Sequence, residues 1–220
     1  MQNLRDSAAL AAGNTLPQLC NYIAGQRMTP AVDRGNDLLD PNTLEVLQAQ
    51  RECSEEQVEA ALHAADSAYQ SCEWENTPAA ERADWLERLA DTLSAPDIEA
   101  RIAYADAITT GAVIGVTTGM ARLAPFVYRA AAGFLRTGQL DRQVPGKVGD
   151  VDYLRRPWGP ALLVSPWNGP TAIGSHKIAS ALAAGAPCIA KPSEWAPHSA
   201  IIMAEAIHNA GLPEAFDCRS

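Results

Sequence analysis

The chain has 220 residues, 47% of them hydrophobic and 20% charged, with 17 Lys and Arg against 26 Asp and Glu for a formal net charge of −9. That composition excludes a disordered, collagen-like or coiled-coil protein, and the length suits one large domain or two small ones. The acidic balance excludes a broad basic field, so no nucleic acid and no membrane surface is expected as a partner, while a few local basic groups still suffice for one small phosphate compound.

Ala8 to Ala12 is too short for the apolar segment of a signal peptide. The stretch from Ile178 to Ala190 is closed by Lys177 and Lys191 and contains Gly185 and Pro187. It falls short of the roughly 20 residues of a membrane helix. A cytoplasmic chain is therefore expected. The five cysteines, Cys20, Cys53, Cys72, Cys188 and Cys218, form no C-x-x-C pair and match no histidine spacing, so neither a disulfide framework nor a metal site is expected. Inert thiols are the default reading, Cys218 included.

The first fifty residues read as irregular or weakly β, with a turn at Asp40-Pro41-Asn42-Thr43. Ser54 to Gln57 form a capping-box sequence, after which Val58, Ala61, Leu62, Ala65 and Ala68 recur at helical spacing. Thr77-Pro78 opens a second helix with Leu86, Leu89, Ala90 and Leu93 on one face and Glu81, Arg82, Glu87 and Arg88 expected in solvent. From Asp97 to Arg136 the chain is Ala-rich and helical, with interruptions expected at Gly111, Gly115 and Pro125. Val148 to Arg156 alternates as an edge strand would.

The next segment reads β-α-β-α. Ala161 to Val164 is a short apolar run, followed by the turn-rich Pro166 to Pro170. A helix from Thr171 to Ala184 ends at Gly185, which suits a left-handed cap. Cys188 to Ala190 forms a second run, Lys191-Pro192-Ser193-Glu194 a second loop, and Pro197 to Asn209 a second helix closed by Ala210-Gly211 and Pro213. A helix between two short apolar strands implies a right-handed crossover in a parallel sheet, which places both strand ends, and so both loops, on one edge. Ligands of open α/β sheets bind at that edge, with phosphates near helix N-termini and an acid after the second strand on the ribose hydroxyls.

Lys191 and Glu194 could grip a ribose diol, and a Glu there disfavours a 2′-phosphate, selecting NAD over NADP; the plain alternative is an exposed ion pair of little energetic worth. No G-x-G-x-x-G follows the first strand. Asn168 offers an uncharged amide donor for a developing oxyanion, or simply an Asx turn. Trp167 is a ligand wall or a core aromatic, and Lys177 a solvated residue or a partner of the helix dipole. His63, His176, His198 and His208 show no metal spacing and receive no role.

Arg156-Pro157-Trp158-Gly159-Pro160, Val164 to Pro170, Lys177 to Gly185, Lys191 to Glu194 and Ala210-Gly211-Leu212-Pro213 resemble the N-terminal half of the NAD(P)-dependent aldehyde dehydrogenase family. Upstream, Tyr22-Ile23-Ala24-Gly25 resembles its early strand and Ala60 to Arg88 its Ala-rich helix with Trp and Glu-Arg. The resemblance implies an α/β fold, a partial Rossmann-like parallel sheet flanked by helices. It implies residues 1–147 as the N-terminal part of a cofactor-binding domain, 148–156 as an oligomerisation strand, and 157–220 as the βαβα part, with the catalytic domain absent. By match, Val164, Ser165, Pro166, Trp167 and Asn168 line the cofactor, Lys191, Ser193 and Glu194 hold its adenosine ribose, Asn168 stabilises the thiohemiacetal oxyanion and Lys177 supports the active site.

Two departures stand inside these motifs: Gly169, where the family has a bulky residue, and Ala186, where it has Asn. A third stands at the end, where Glu214 to Ser220 does not read as the family's next strand, and no residue matches its general-base Glu or nucleophilic Cys. The implied function is an oxidoreductase taking an aldehyde to a carboxylic acid with NAD(P), as a homo-oligomer, present as an N-terminal portion inactive by itself. The alternatives are a non-catalytic nucleotide-binding or assembly module of that descent and a helical scaffold unrelated to it.

Overall fold

In the computed structural model, which describes residues 15–209, 211 and 216–218, the β-α-β-α segment forms one side of a five-stranded sheet. The apolar segment Ala8 to Ala12 lies outside the described residues. The strands are β1 (Asn21–Ile23), β2 (Gln26–Met28), β3 (Val32–Leu39), β4 (Val46–Glu52), β5 (Arg142–Val144), β6 (Val151–Tyr153), β7 (Ala161–Val164), β8 (Cys188–Lys191) and β9 (Phe216–Cys218). The helices are α1 (Glu55–Ser71), α2 (Glu73–Asn76), α3 (Ala79–Leu93), α4 (Pro96–Thr110), α5 (Ile114–Arg136), α6 (Pro170–Ala183) and α7 (His198–Asn209).

The main sheet runs β2-β1-β9-β8-β7, while β3–β4 and β5–β6 are separate antiparallel ribbons. The stretch read as irregular or weakly β thus holds two hairpins among its described residues. Ala24 and Gly25 join β1 to β2 with both φ values positive, 48° and 72°, the geometry of a two-residue hairpin loop that follows the natural strand twist. The edge strand expected over Val148 to Arg156 narrows to Val151–Tyr153, paired with Arg142–Val144 away from the main sheet.

Capping places α1 as its sequence implies: the Ser54 hydroxyl accepts from the Gln57 N–H at 3.3 Å and the Gln57 side-chain oxygen accepts from the Ser54 N–H at 3.1 Å. Beyond it, α3, α4, α5, α6 and α7 pack into a helical layer. Its core holds Leu86, Leu89 and Leu93 of α3, Ile102 of α4 and Tyr128 of α5, all at most 1% exposed. Each large apolar side chain so buried contributes about 1.5–3 kcal/mol.

Three local expectations are corrected. The helical region from Asp97 to Arg136 breaks only at Gly111, whose φ of +73° ends α4; Gly115 and Pro125 lie inside α5, which continues because Ala121, Ala124, Val127 and Tyr128 keep its face buried. Arg82 is 4% exposed rather than solvated, because its guanidinium turns back to donate to the carbonyls of Glu75 at 2.9 Å and Thr77 at 2.6 Å. The end of the chain does continue the sheet: β9 pairs parallel with β8, Ile189 beside Asp217, and antiparallel with β1. Three residues are too short to carry a periodic signal, and their strand geometry is set by the ladders on either side.

Candidate functional site

The crossover from β7 through α6 to β8 aligns two strand ends. Val164 stands directly beside Lys191 in the parallel register, and the pairing extends one residue further through the Ser165 N–H donating to the Lys191 carbonyl at 3.1 Å. Adjacent strands lie about 4.8 Å apart. The loops leading to α6 and α7 therefore begin side by side at one edge of the sheet.

At the other end of the crossover, α6 closes on a left-handed turn. Gly185, at φ +84°, lets its N–H donate to the Leu182 carbonyl at 3.1 Å while the Ala186 N–H reaches the Ala181 carbonyl at 3.0 Å. This Schellman pattern ends α6 and turns the chain into β8. β8 itself is buried from Cys188 to Ala190. β7 is the sheet edge and leaves Leu162 and Val164 exposed at 66% and 51%.

Along the first loop, Ser165 and Pro166 are half-buried, and Trp167 and Asn168 are exposed. Trp167 is thus exposed to solvent rather than a core aromatic. In the second loop the Lys191 ammonium lies 3.4 Å from the Glu194 carboxylate, with the Ser193 hydroxyl equally 3.4 Å from the same oxygen. Both charged side chains remain nearly half exposed, so the pair itself stabilises little and can exchange onto a ligand. A backbone N–H, Lys191 and Ser193 hold the Glu194 carboxyl below the usual carboxylate range. It is a fixed acceptor at neutral pH. Lys191 and Glu194 line a cavity of 330 Å³ together with Gln50, Cys53 and Val58.

Lys177 occupies a different place. It lies two turns into α6, about 10 Å along the axis from the helix start, in an open groove with Trp158 and Leu162. Cys20 and Cys188 are buried, Cys188 at the opposite end of β8 from the Glu194 loop.

Four further residues at or beneath these loops received no role from the sequence. Gln50 donates its amide to the Glu194 carbonyl at 3.2 Å, bracing the second loop from β4. Gln48, on the same strand face, donates to the Pro17 carbonyl at 3.1 Å, which leaves its oxygen 3.1 Å from His198 Nε2. The imidazole therefore donates through Nε2 and leaves Nδ1 bare. Burial holds His198 down to about 4, and it is neutral. The fourth is Asp106, buried on α4, whose carboxyl burial raises to about 6. The period-two pair Gln48 and Gln50 and an acid at Asp106 on the Ile102-Ala103-Ala105 face of an Ala-rich helix were the available signals.

The aldehyde dehydrogenase family model matches residues 29–216. The 2-aminomuconic semialdehyde dehydrogenase of Bos taurus is 34% identical over 208 residues, covering 93% of this chain and 41% of that protein. The geranial dehydrogenase of Castellaniella defragrans is 28% identical over 194 residues, covering 87% and 40%. Among solved structures, a mutant aldehyde dehydrogenase C from Pseudomonas syringae, complexed with NAD+ and octanal, superposes with a TM-score of 0.83 at 29% identity, covering 94% of this chain and 42% of that one. Betaine aldehyde dehydrogenase from Staphylococcus aureus in complex with NAD+ gives a TM-score of 0.83 at 25% identity, covering 97% and 42%. The chain spans about two fifths of the length of the curated relatives it matches. A family-model match over residues 29–216, most of the chain, makes it a member of the aldehyde dehydrogenase family.

Proposed function

We propose that this chain forms part of the NAD-binding domain of an aldehyde dehydrogenase and carries the ribose grip and the oxyanion donor of its site. The observation that supports this most is the in-register pairing of Val164 with Lys191, which sets the Asn168 and Glu194 loops beside each other. The residues fit a dinucleotide. Glu194 is an ionised acceptor and Lys191 a donor on the rim of one cavity, matching the two hydroxyls of a ribose. The same carboxylate would lie against a 2′-phosphate, so NAD is the assigned form over NADP.

The cofactor, when bound, supplies the acceptor for the hydride that leaves the substrate. The chain's own residues bind and orient. Glu194 accepts from the ribose diol, Lys191 and Ser193 donate to it, and the Val164 to Trp167 segment forms a wall. Asn168 directs an uncharged N–H toward an oxyanion developing on an aldehyde carbon, which stabilises charge without adding a titratable proton. Lys177 is assigned a supporting place near the site through the groove it lines on α6. Residues 1–147, 148–156 and 157–220 are read as the N-terminal part of the domain, an oligomerisation strand and the βαβα part, in a cytoplasmic homo-oligomer. Among the described residues no helix is long and apolar enough to cross a membrane.

Aldehyde oxidation needs a thiolate and a base near Asn168, and no residue of this sequence matches the family's nucleophilic Cys or general-base Glu. We therefore assign the 220 residues alone nucleotide binding without turnover. NAD titration followed by Trp167 fluorescence, with Trp167→Phe identifying the signal, tests the reading. Losing a charged hydrogen bond of about 1.5–3 kcal/mol should weaken NAD by about tenfold or more in Glu194→Ala. An unchanged titration removes Glu194 from the site, and robust aldehyde-dependent NADH formation by the isolated chain refutes the division of labour.

A further inference from the structure

Asp106 stands where an Ala-rich helix face calls for a small apolar residue. It is 1% exposed, and among the residues whose burial is described no other Asp or Glu is buried. Its carboxyl faces the hydroxyl and backbone N–H of Thr171 and the hydroxyl of Ser199. Thr171 is the second residue of α6 and Ser199 the second residue of α7. Both are buried, at 0% and 2% exposure. Neither carboxyl oxygen and neither hydroxyl closes a hydrogen bond within normal geometry.

Unpaired buried polar groups cost about 1–3 kcal/mol each, so helix α4 gains nothing from an acid here that alanine would not give more cheaply. What the acid does gain is position. α6 and α7 begin directly after the Pro166 to Pro170 and Lys191 to Ala196 loops, and one carboxyl meets the first turn of both. Each helix N-terminus carries a partial positive charge that attracts it. We propose that Asp106 is a positioning residue that ties the starts of α6 and α7 together and so sets the spacing of the two loops that precede them. Its effect on nucleotide binding rests on the function proposed above, whereas the tie itself does not.

The groups facing Asp106 are the two hydroxyls and the Thr171 N–H, and no charged side chain from a packed element contributes to it. His198, next to Ser199, stays neutral above about 4. Asp106, at about 6, therefore passes from neutral to ionised between pH 5 and 7.5.

Hydrogen exchange on the full chain without cofactor tests the proposal, comparing wild type with Asp106→Asn. The expected result is exchange about tenfold faster in the first turns of α6 and α7 together, with α3 and α5 unchanged. Acceleration in only one of the two helices, or equal acceleration in α3 and α5, overturns it. Where Asp106→Asn does not fold, the wild type at pH 5 and 7.5, corrected for intrinsic rates, gives the answer. Protection of both first turns shifts together if the tie exists, and constant protection overturns it. A parallel NAD titration separates the claims: loosened loops in a chain that never bound NAD leave the tie standing and remove the nucleotide reading.

Discussion

Replacing Gly185 with alanine perturbs the turn that feeds β8 in two separable ways. The backbone stays at φ +84°, where a Cβ costs about 1–2 kcal/mol. A Cβ there also lies 3.3 Å from the Glu75 Cα, a backbone atom that cannot swing aside. Against this, the unfolded chain loses freedom worth about 0.4–1 kcal/mol. The net expectation is a loss of about 1–2 kcal/mol, which for a chain of this size lowers Tm by about 2–8 °C. Gly138→Ala is the control, because its φ is +69° but nothing lies within 4 Å of the added carbon. Denaturant melts of the two variants and wild type should therefore rank Gly185→Ala below Gly138→Ala. Equal stability of the two would refute the close approach of α2 to this turn, and a Gly185→Ala chain as stable as wild type would refute the left-handed cap.

Gln50→Leu removes the amide that holds the Glu194 carbonyl at 3.2 Å. At a net worth of about 1 kcal/mol it should loosen the Lys191 to Ala196 loop about fivefold in hydrogen exchange, and an unchanged loop would show that β4 does not brace it. His198 sits at about 4 against an unfolded value of 6.5, so the unfolded chain binds more protons between those values; the stability His198 contributes is complete above pH 6.5 and lost as pH falls through 4. Asp106 runs the other way: its value rises from 3.8 to about 6, so its contribution is complete below 3.8 and lost as pH rises through 6. Each is worth at most about 3 kcal/mol. The two oppose one another in the wild type, and His198→Gln should leave Asp106 alone, making the variant relatively more stable as pH drops from 6.5 to 4. Melting temperatures that run parallel to wild type across that range would contradict this.

The part of the fold built from local rules was legible. Ser54 and Gln57 capped α1 as a short-range pattern requires, Gly185 ended α6, and the β-α-β order forced Val164 and Lys191 to one edge because a parallel crossover has only one common hand. What was not legible depends on partners distant in sequence. Arg82 looks like a surface residue beside Glu81, and only the return of Glu75 and Thr77 carbonyls to its guanidinium makes it interior. β9 carries three residues and no pattern, and its existence is decided by β8 and β1. Gln50 and Asp106 act on loops 144 residues away in the first case and on two separate helices in the second, so no window of the sequence contains both the residue and what it touches. The motifs single out Asn168 and Glu194, whereas the Gln50 amide on the Glu194 carbonyl has no motif to announce it.

A hydrogen-exchange footprint of saturating NAD on the chain addresses the proposed site most directly. Protection gathered at Val164 to Pro170 and Lys191 to Ala196, and lost in Glu194→Ala, is the predicted result. Protection centred instead on the apolar groove between α5 and α6, where Phe126 and Phe134 are exposed, would contradict it.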